Sequence, residues 1–113
     1  MSEIPYDDFA KLDIRIGTVI AAEAVPDTDK LIKCTVDLGD PPDGAGKRTI
    51  VSGIAQWKKP EELIGKQFPY VVNLAPRVLR GIESQGMLLA VSDEAGVALL
   101  SPERSVPSGS PLR

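Results

Sequence analysis

Arg48-Thr49-Ile50-Val51-Ser52-Gly53-Ile54-Ala55-Gln56-Trp57-Lys58-Lys59-Pro60-Glu61-Glu62-Leu63-Ile64-Gly65-Lys66-Gln67-Phe68-Pro69-Tyr70-Val71-Val72-Asn73-Leu74 encodes a strand, a short helix and another strand in that order. Arg48 to Ser52 is rich in β-branched residues and stops at Gly53, which predicts a strand. Pro60 stands where a first helical residue would, Glu61 and Glu62 suit the positive end of the helix dipole, and Gly65 ends it. Phe68 to Leu74 is the next strand. Pro69 lacks a ladder donor, so that end is expected at a sheet edge or a bulge.

Upstream, Tyr6 to Ala10 reads as a helical turn. Leu12, Ile14 and Ile16 then alternate with Asp13, Arg15 and Gly17, the period of a half-buried strand, and Gly17 with the continuation Thr18-Val19-Ile20 suggests a bulge. Pro26-Asp27-Thr28-Asp29 is a loop. Ile32, Cys34 and Val36 alternate with Lys33, Thr35 and Asp37, which makes a second strand with Cys34 inward as a small buried hydrophobe. Gly39 to Gly46 is a flexible hairpin loop. Downstream, Gly86 to Ser92 is a fifth strand, and Asp93-Glu94-Ala95-Gly96 turns into Val97 to Leu100. Five short strands with a helix between the third and fourth are the layout of an OB-fold, a Greek-key β-barrel of the all-β class with small α content. One domain, residues 1–113, is expected, with a core over about 9–92 and a C-terminal extension over about 93–113.

The composition narrows the chemistry. Histidine is absent and Cys34 is the one cysteine. The commonest general base, the commonest zinc ligand and every Ser-His or Cys-His pair are thereby removed. The expectation is a protein that is not an enzyme, with no metal and no cofactor. No apolar run approaches a membrane span, and the start lacks a signal-peptide pattern, so a cytoplasmic protein is expected. The net charge is −3, but residues 30–80 hold nine bases against five acids. A basic middle within an acidic chain can form a local phosphate-binding patch.

An OB barrel binds ligands across its second and third strands, between the loop joining strands 1 and 2 and the loop joining strands 4 and 5. Lys30 ends the first of these loops, Lys33 points outward from strand 2, and Arg48 opens strand 3. The 4–5 loop runs from Asn73 to Gly86 and carries Arg77 and Arg80 with Asn73, Ser84 and Gln85. Cations neutralise phosphates, while amides and hydroxyls orient sugars or bases. Plainer roles also fit. Arg77 and Arg80 could solvate a helical turn, Asn73 or Ser84 could cap a turn, and Met87 could be core. Aromatic residues are too few for an extended stacking platform, which points to a folded RNA recognised by shape and backbone.

Phe9-Ala10-Lys11-Leu12-Asp13-Ile14-Arg15-Ile16-Gly17, Asp29-Lys30-Leu31, Val36-Asp37-Leu38-Gly39, Arg48 to Ile54, Lys59 to Leu63, Asn73-Leu74 and Gly81-Ile82-Glu83-Ser84-Gln85-Gly86-Met87 together resemble the tRNA-binding domain family. That family occurs as stand-alone dimers, as C-terminal domains of methionyl-tRNA synthetases and in synthetase-associated cytokine precursors. The resemblance implies tRNA binding by a homodimer paired through the C-terminal extension, with an aminoacyl-tRNA synthetase as a further partner and no membrane. It places Lys30, Arg48, Asn73, Ser84, Gln85 and Met87 on the RNA face, with Arg77 and Arg80 adding phosphate contacts. The family also includes the dimeric peptide-binding chaperone CsaA, the alternative function. The Glu83-Ser84-Gln85-Gly86-Met87 form favours the RNA-binding branch. Ala75, where the family usually has a base, the insertion Pro41 to Gly46, and Pro69 depart from the pattern.

Overall fold

The alternation in Ile32–Asp37 (β2) is obeyed residue by residue: Ile32, Cys34 and Val36 are buried, and Lys33, Thr35 and Asp37 are half-buried. The computed structural model describes residues 1–113, with Tyr6–Ala10 (α1), Ile14–Ala24 (β1), β2, Lys47–Ser52 (β3), Pro60–Leu63 (α2) and Gln67–Val71 (β4) in chain order. Short strands follow: Arg77–Leu79 (β5), Ile82–Ser84 (β6), Met87–Leu88 (β7), Ala90–Asp93 (β8) and Gly96–Leu99 (β9). The main sheet runs β3-β2-β1-β4-β7, all antiparallel. It curls into the expected, nearly closed OB barrel around a core that includes Val19, Ile32, Val36, Leu38, Ile50 and Leu63. Burial pushes the Cys34 thiol up to about 11, so it stays protonated and inert at neutral pH.

β1 is long enough to serve both halves of the barrel. Thr18 to Ala24 pair with β2, and Ile14 to Thr18 pair with β4. The irregularity that bends it lies between Val19 and Ala21, leaving Ile20 facing solvent. The bulge expected over Gly17 to Ile20 thus falls at its Ile20 end, and Gly17 itself is regularly paired with Phe68. Its small size serves packing instead, because a Cβ there would lie 2.4 Å from Val36 Cγ1 and 2.8 Å from Leu38 Cδ2. Leu12, expected inward, precedes the strand and is exposed.

Pro69 is buried opposite Ile16, inside the sheet rather than at its margin. The missing donor costs no bond to β1, because Ile16 turns its own polar groups to the other side. Its N–H donates to the Ser110 carbonyl at 2.9 Å, and its carbonyl accepts from Gly109 N–H at 2.7 Å. The C-terminal segment thus lies along the first half of β1, a side that β2 does not reach, and Leu112 N–H adds a bond to Ile14 at 2.8 Å.

The expected fifth strand, Gly86 to Ser92, is divided. Only Met87 and Leu88 pair with β4; Ala90 to Asp93 leave the barrel and form a separate hairpin with β9. That hairpin, turning at the expected Asp93-Glu94-Ala95-Gly96, lays Val97 and Leu99 against the core.

Candidate nucleic-acid interface

The barrel is closed between β3 and the 84–86 segment, and two of the candidate RNA ligands do the closing. Ser84 is buried; its Oγ accepts from Val51 N–H at 2.9 Å and lies 3.2 Å from the Gly86 carbonyl, to which it donates. Gln85 donates its N–H to Thr49 O at 2.8 Å, and its side-chain oxygen accepts from Thr49 N–H at 3.1 Å. Side-chain oxygens therefore stand where a continuous strand would offer carbonyls.

Arg48 and Asn73 are likewise engaged by the protein itself. The Arg48 guanidinium donates to the carbonyls of Val72, Gln85 (3.2 Å) and Ala45 (3.2 Å), joining the ends of β3, β4 and the 84–86 segment. Asn73 accepts from Asp13 N–H at 2.8 Å and donates to the Lys11 carbonyl at 2.6 Å, tying the entry of β1 to the exit of β4. It lines a cleft beside α1, away from the other candidates.

The 4–5 loop is itself a hairpin. Arg77, Val78 and Leu79 pair with Ser84, Glu83 and Ile82, and Arg80-Gly81 form a two-residue turn with φ of 51° and 79°. Two positive φ values match the turn twist that tight hairpins prefer. Arg77 opposes Ser84 and so shares the inward face with Leu79, while Val78 and Glu83 point out. Arg80 projects from the tip.

Arg77, Leu79 and Met87 line one wall of a groove of about 310 Å³ whose remaining surface includes Leu31, Val51, Ile54 and Val91. Lys30 stands beside Leu31, and its carbonyl accepts from Ala55 N–H at 3.0 Å, which holds the 1–2 loop against the end of β3. Lys30, Arg77 and Arg80 take part in no ion pair. Lys33 points outward as expected, but its Nζ lies 3.4 Å from the carboxylate of Glu23, its cross-strand neighbour. Met87 is 41% exposed on the groove.

The structure therefore brings Lys30, Arg77, Arg80 and Met87 to open surface. It places Arg48, Ser84 and Gln85 in the frame that holds the hairpin and Asn73 in a separate tie between β1 and β4, and it gives Lys33 a carboxylate partner. The apolar floor was missed by the sequence reading. The spacing that could have indicated it is Val91 and Val97 on the two arms of the hairpin turning at Asp93 to Gly96.

Comparison with known proteins identifies the family of this fold. The family described as "Putative tRNA binding domain" matches residues 14–111. The methionine–tRNA ligase of Deinococcus radiodurans is 52% identical over 111 residues, 97% of this chain but 16% of that enzyme. The chain thus spans about a sixth of the length of the curated relatives it matches. Among solved structures, the MetRS-related protein from Pyrococcus horikoshii superposes with a TM-score of 0.90 at 43% identity, covering 100% of both chains. Chaperone CsaA from Bacillus anthracis superposes with a TM-score of 0.86 at 33% identity, covering 99% of this chain and 100% of its own. By family match, identity and fold together, this chain belongs to the tRNA-binding domain family.

Proposed function

We propose that this chain is a non-catalytic tRNA-binding module that acts in the cytoplasm, either alone or beside an aminoacyl-tRNA synthetase. The observation that carries the reading is a set of three exposed cations without carboxylate partners: Arg77 lines the groove, Lys30 immediately precedes its lining residue Leu31, and Arg80 stands at the tip of the hairpin that carries Arg77 and Leu79. Phosphates would meet these cations, and the apolar floor with Met87 would take the face of a sugar or base. Ala75 leaves the loop one charge poorer, which favours an affinity set by few contacts. In a gel-shift series with bulk tRNA, the complex is expected at low salt and lost as salt rises, because phosphate contacts release counterions. No shift at low salt, or one indifferent to salt, refutes the reading.

A homodimer belongs to the same proposal. None of the five residues of α1 is buried, and so short a helix has little stability of its own. Tyr6, Phe9, Leu12 and Leu112 expose apolar surface around a cleft formed with Asn73 and Arg113. A second copy covering this face would shield it. Sedimentation should give twice the chain mass at micromolar concentration, and Phe9→Glu should shift it to the monomer. A wild-type monomer at high concentration would count against pairing.

The apolar groove also suits a second reading, an extended peptide bound as by a chaperone. It is distinguished by suppression of a client's aggregation that survives Arg77→Ala/Arg80→Ala.

A further inference from the structure

A second cleft, of about 380 Å³, opens between α2 and the C-terminal segment. Lys58, Lys66 and Arg104 line it together with the hydroxyls of Ser101 and Ser105. Glu62 is the one carboxylate in the lining, and it accepts the Lys59 N–H at 2.9 Å. None of the three cations makes an ion pair. The cleft thus combines an excess of positive charge with hydroxyl donors, the chemistry that receives a phosphate oxygen.

Its walls are fixed before any ligand arrives. Gln67 grips the C-terminal segment reciprocally, donating to the Val106 carbonyl at 2.7 Å and accepting from Val106 N–H at 3.1 Å. Arg104 and Ser105 immediately precede that anchor. Lys58 is held by its N–H bond to Ile54 at 3.0 Å, and Lys66 by its N–H bond to Leu63 at 3.1 Å and the bond its carbonyl accepts from Val19 at 3.0 Å. The cleft includes Gln67 at one end of β4, whereas the chain runs on to the Arg77–Arg80 hairpin from the Val71 end, and β4 itself spans roughly 14 Å between them.

We propose that this cleft is a second phosphodiester site, engaging the backbone of the same RNA that the hairpin contacts. The inference rests on the tRNA-binding reading. A second site set apart from the first would orient a folded RNA across the barrel, which one hairpin alone cannot do.

The test compares wild type with Lys66→Ala/Arg104→Ala, two exposed positions, in tRNA binding over a salt series. The variant should keep its melting temperature, and its plot of log affinity against log salt should be shallower by about one unit for each phosphate left without its cation. An unchanged slope and affinity overturns the second site and leaves the tRNA reading intact. Absence of wild-type binding overturns both. Titration with inorganic phosphate, followed by amide chemical shifts, reads the cleft without RNA. Shifts at Lys58, Lys66 and residues 101–105 support the site, and shifts confined to residues 77–81 overturn it.

Discussion

Changing Arg77 and Arg80 together to alanine should weaken tRNA binding by about thirty- to a hundred-and-fiftyfold while moving the melting temperature by no more than roughly 4 °C. Both arginines are exposed, and neither is held by a carboxylate. A charge-assisted contact to phosphate contributes somewhat over 1 kcal/mol, so losing two costs about 2–3 kcal/mol. The structural loss is small because the hairpin is set by its turn and by Ser84, not by these side chains. Arg77 faces the groove and Arg80 the tip, so the two should differ when changed singly. Arg80→Ala should act mainly through salt-sensitive attraction. Arg77→Ala should also alter whatever contact is made in the groove that Leu79 and Met87 line with it. Filter binding at two salt concentrations together with thermal denaturation checks both halves. Unchanged affinity in the double variant would remove the hairpin from the interface.

Arg48→Ala should fail in a different way, by unfolding. Its guanidinium is half-buried and serves the carbonyls of Val72, Gln85 and Ala45 at once. Removing it strands carbonyls at the junction of β3, β4 and the 84–86 segment, which should cost about 2–4 kcal/mol. The melting temperature should fall by roughly 10 °C. Arg48→Lys should not restore it, since an ammonium is a point donor and cannot bridge three carbonyls set apart in a fork. A direct phosphate ligand would behave oppositely: lysine would largely substitute, and stability would be indifferent to either change. Thermal denaturation of the two variants separates the roles, and an unshifted melting temperature in Arg48→Ala would exclude the framework role.

These two predictions also mark where the sequence was legible. Period-2 alternation in β2 and the Gly stop after β3 are local signals, and both elements formed where those signals lay. The helix predicted from Pro60 and the glutamates formed for the same reason. The bulge was legible over Gly17 to Ile20, but the packing that keeps Gly17 small comes from Val36, Leu38 and Tyr70, side chains far along the chain. Pro69 was misplaced because its lost donor matters only if β1 needs it, and the C-terminal segment decides that. In the site, a charged residue reads as a ligand whichever way it points. Two of the three carbonyls that hold Arg48 inward lie 24 and 37 residues away, out of reach of any local pattern. Lys33 needed the β1–β2 register before Glu23 could be seen as its partner. The Arg80-Gly81 turn had only a weak local signal, a glycine at its second position between apolar flanks, since the usual two-residue hairpin pairs put Asn, Asp or Gly first.

The closure of the barrel through Ser84 and Gln85 changes what a substitution at those positions would mean. A backbone ladder can slip by a pair of residues and remain a ladder, whereas a hydroxyl on Val51 and an amide on Thr49 admit one alignment. The two side chains therefore act as keys that set where along β3 the hairpin stands. Altering them would slide or tilt the Arg77–Arg80 arm as a unit and leave its own chemistry untouched. Two such domains could carry the same arginines and yet present them to differently shaped RNAs, with the difference written in residues that never meet the ligand.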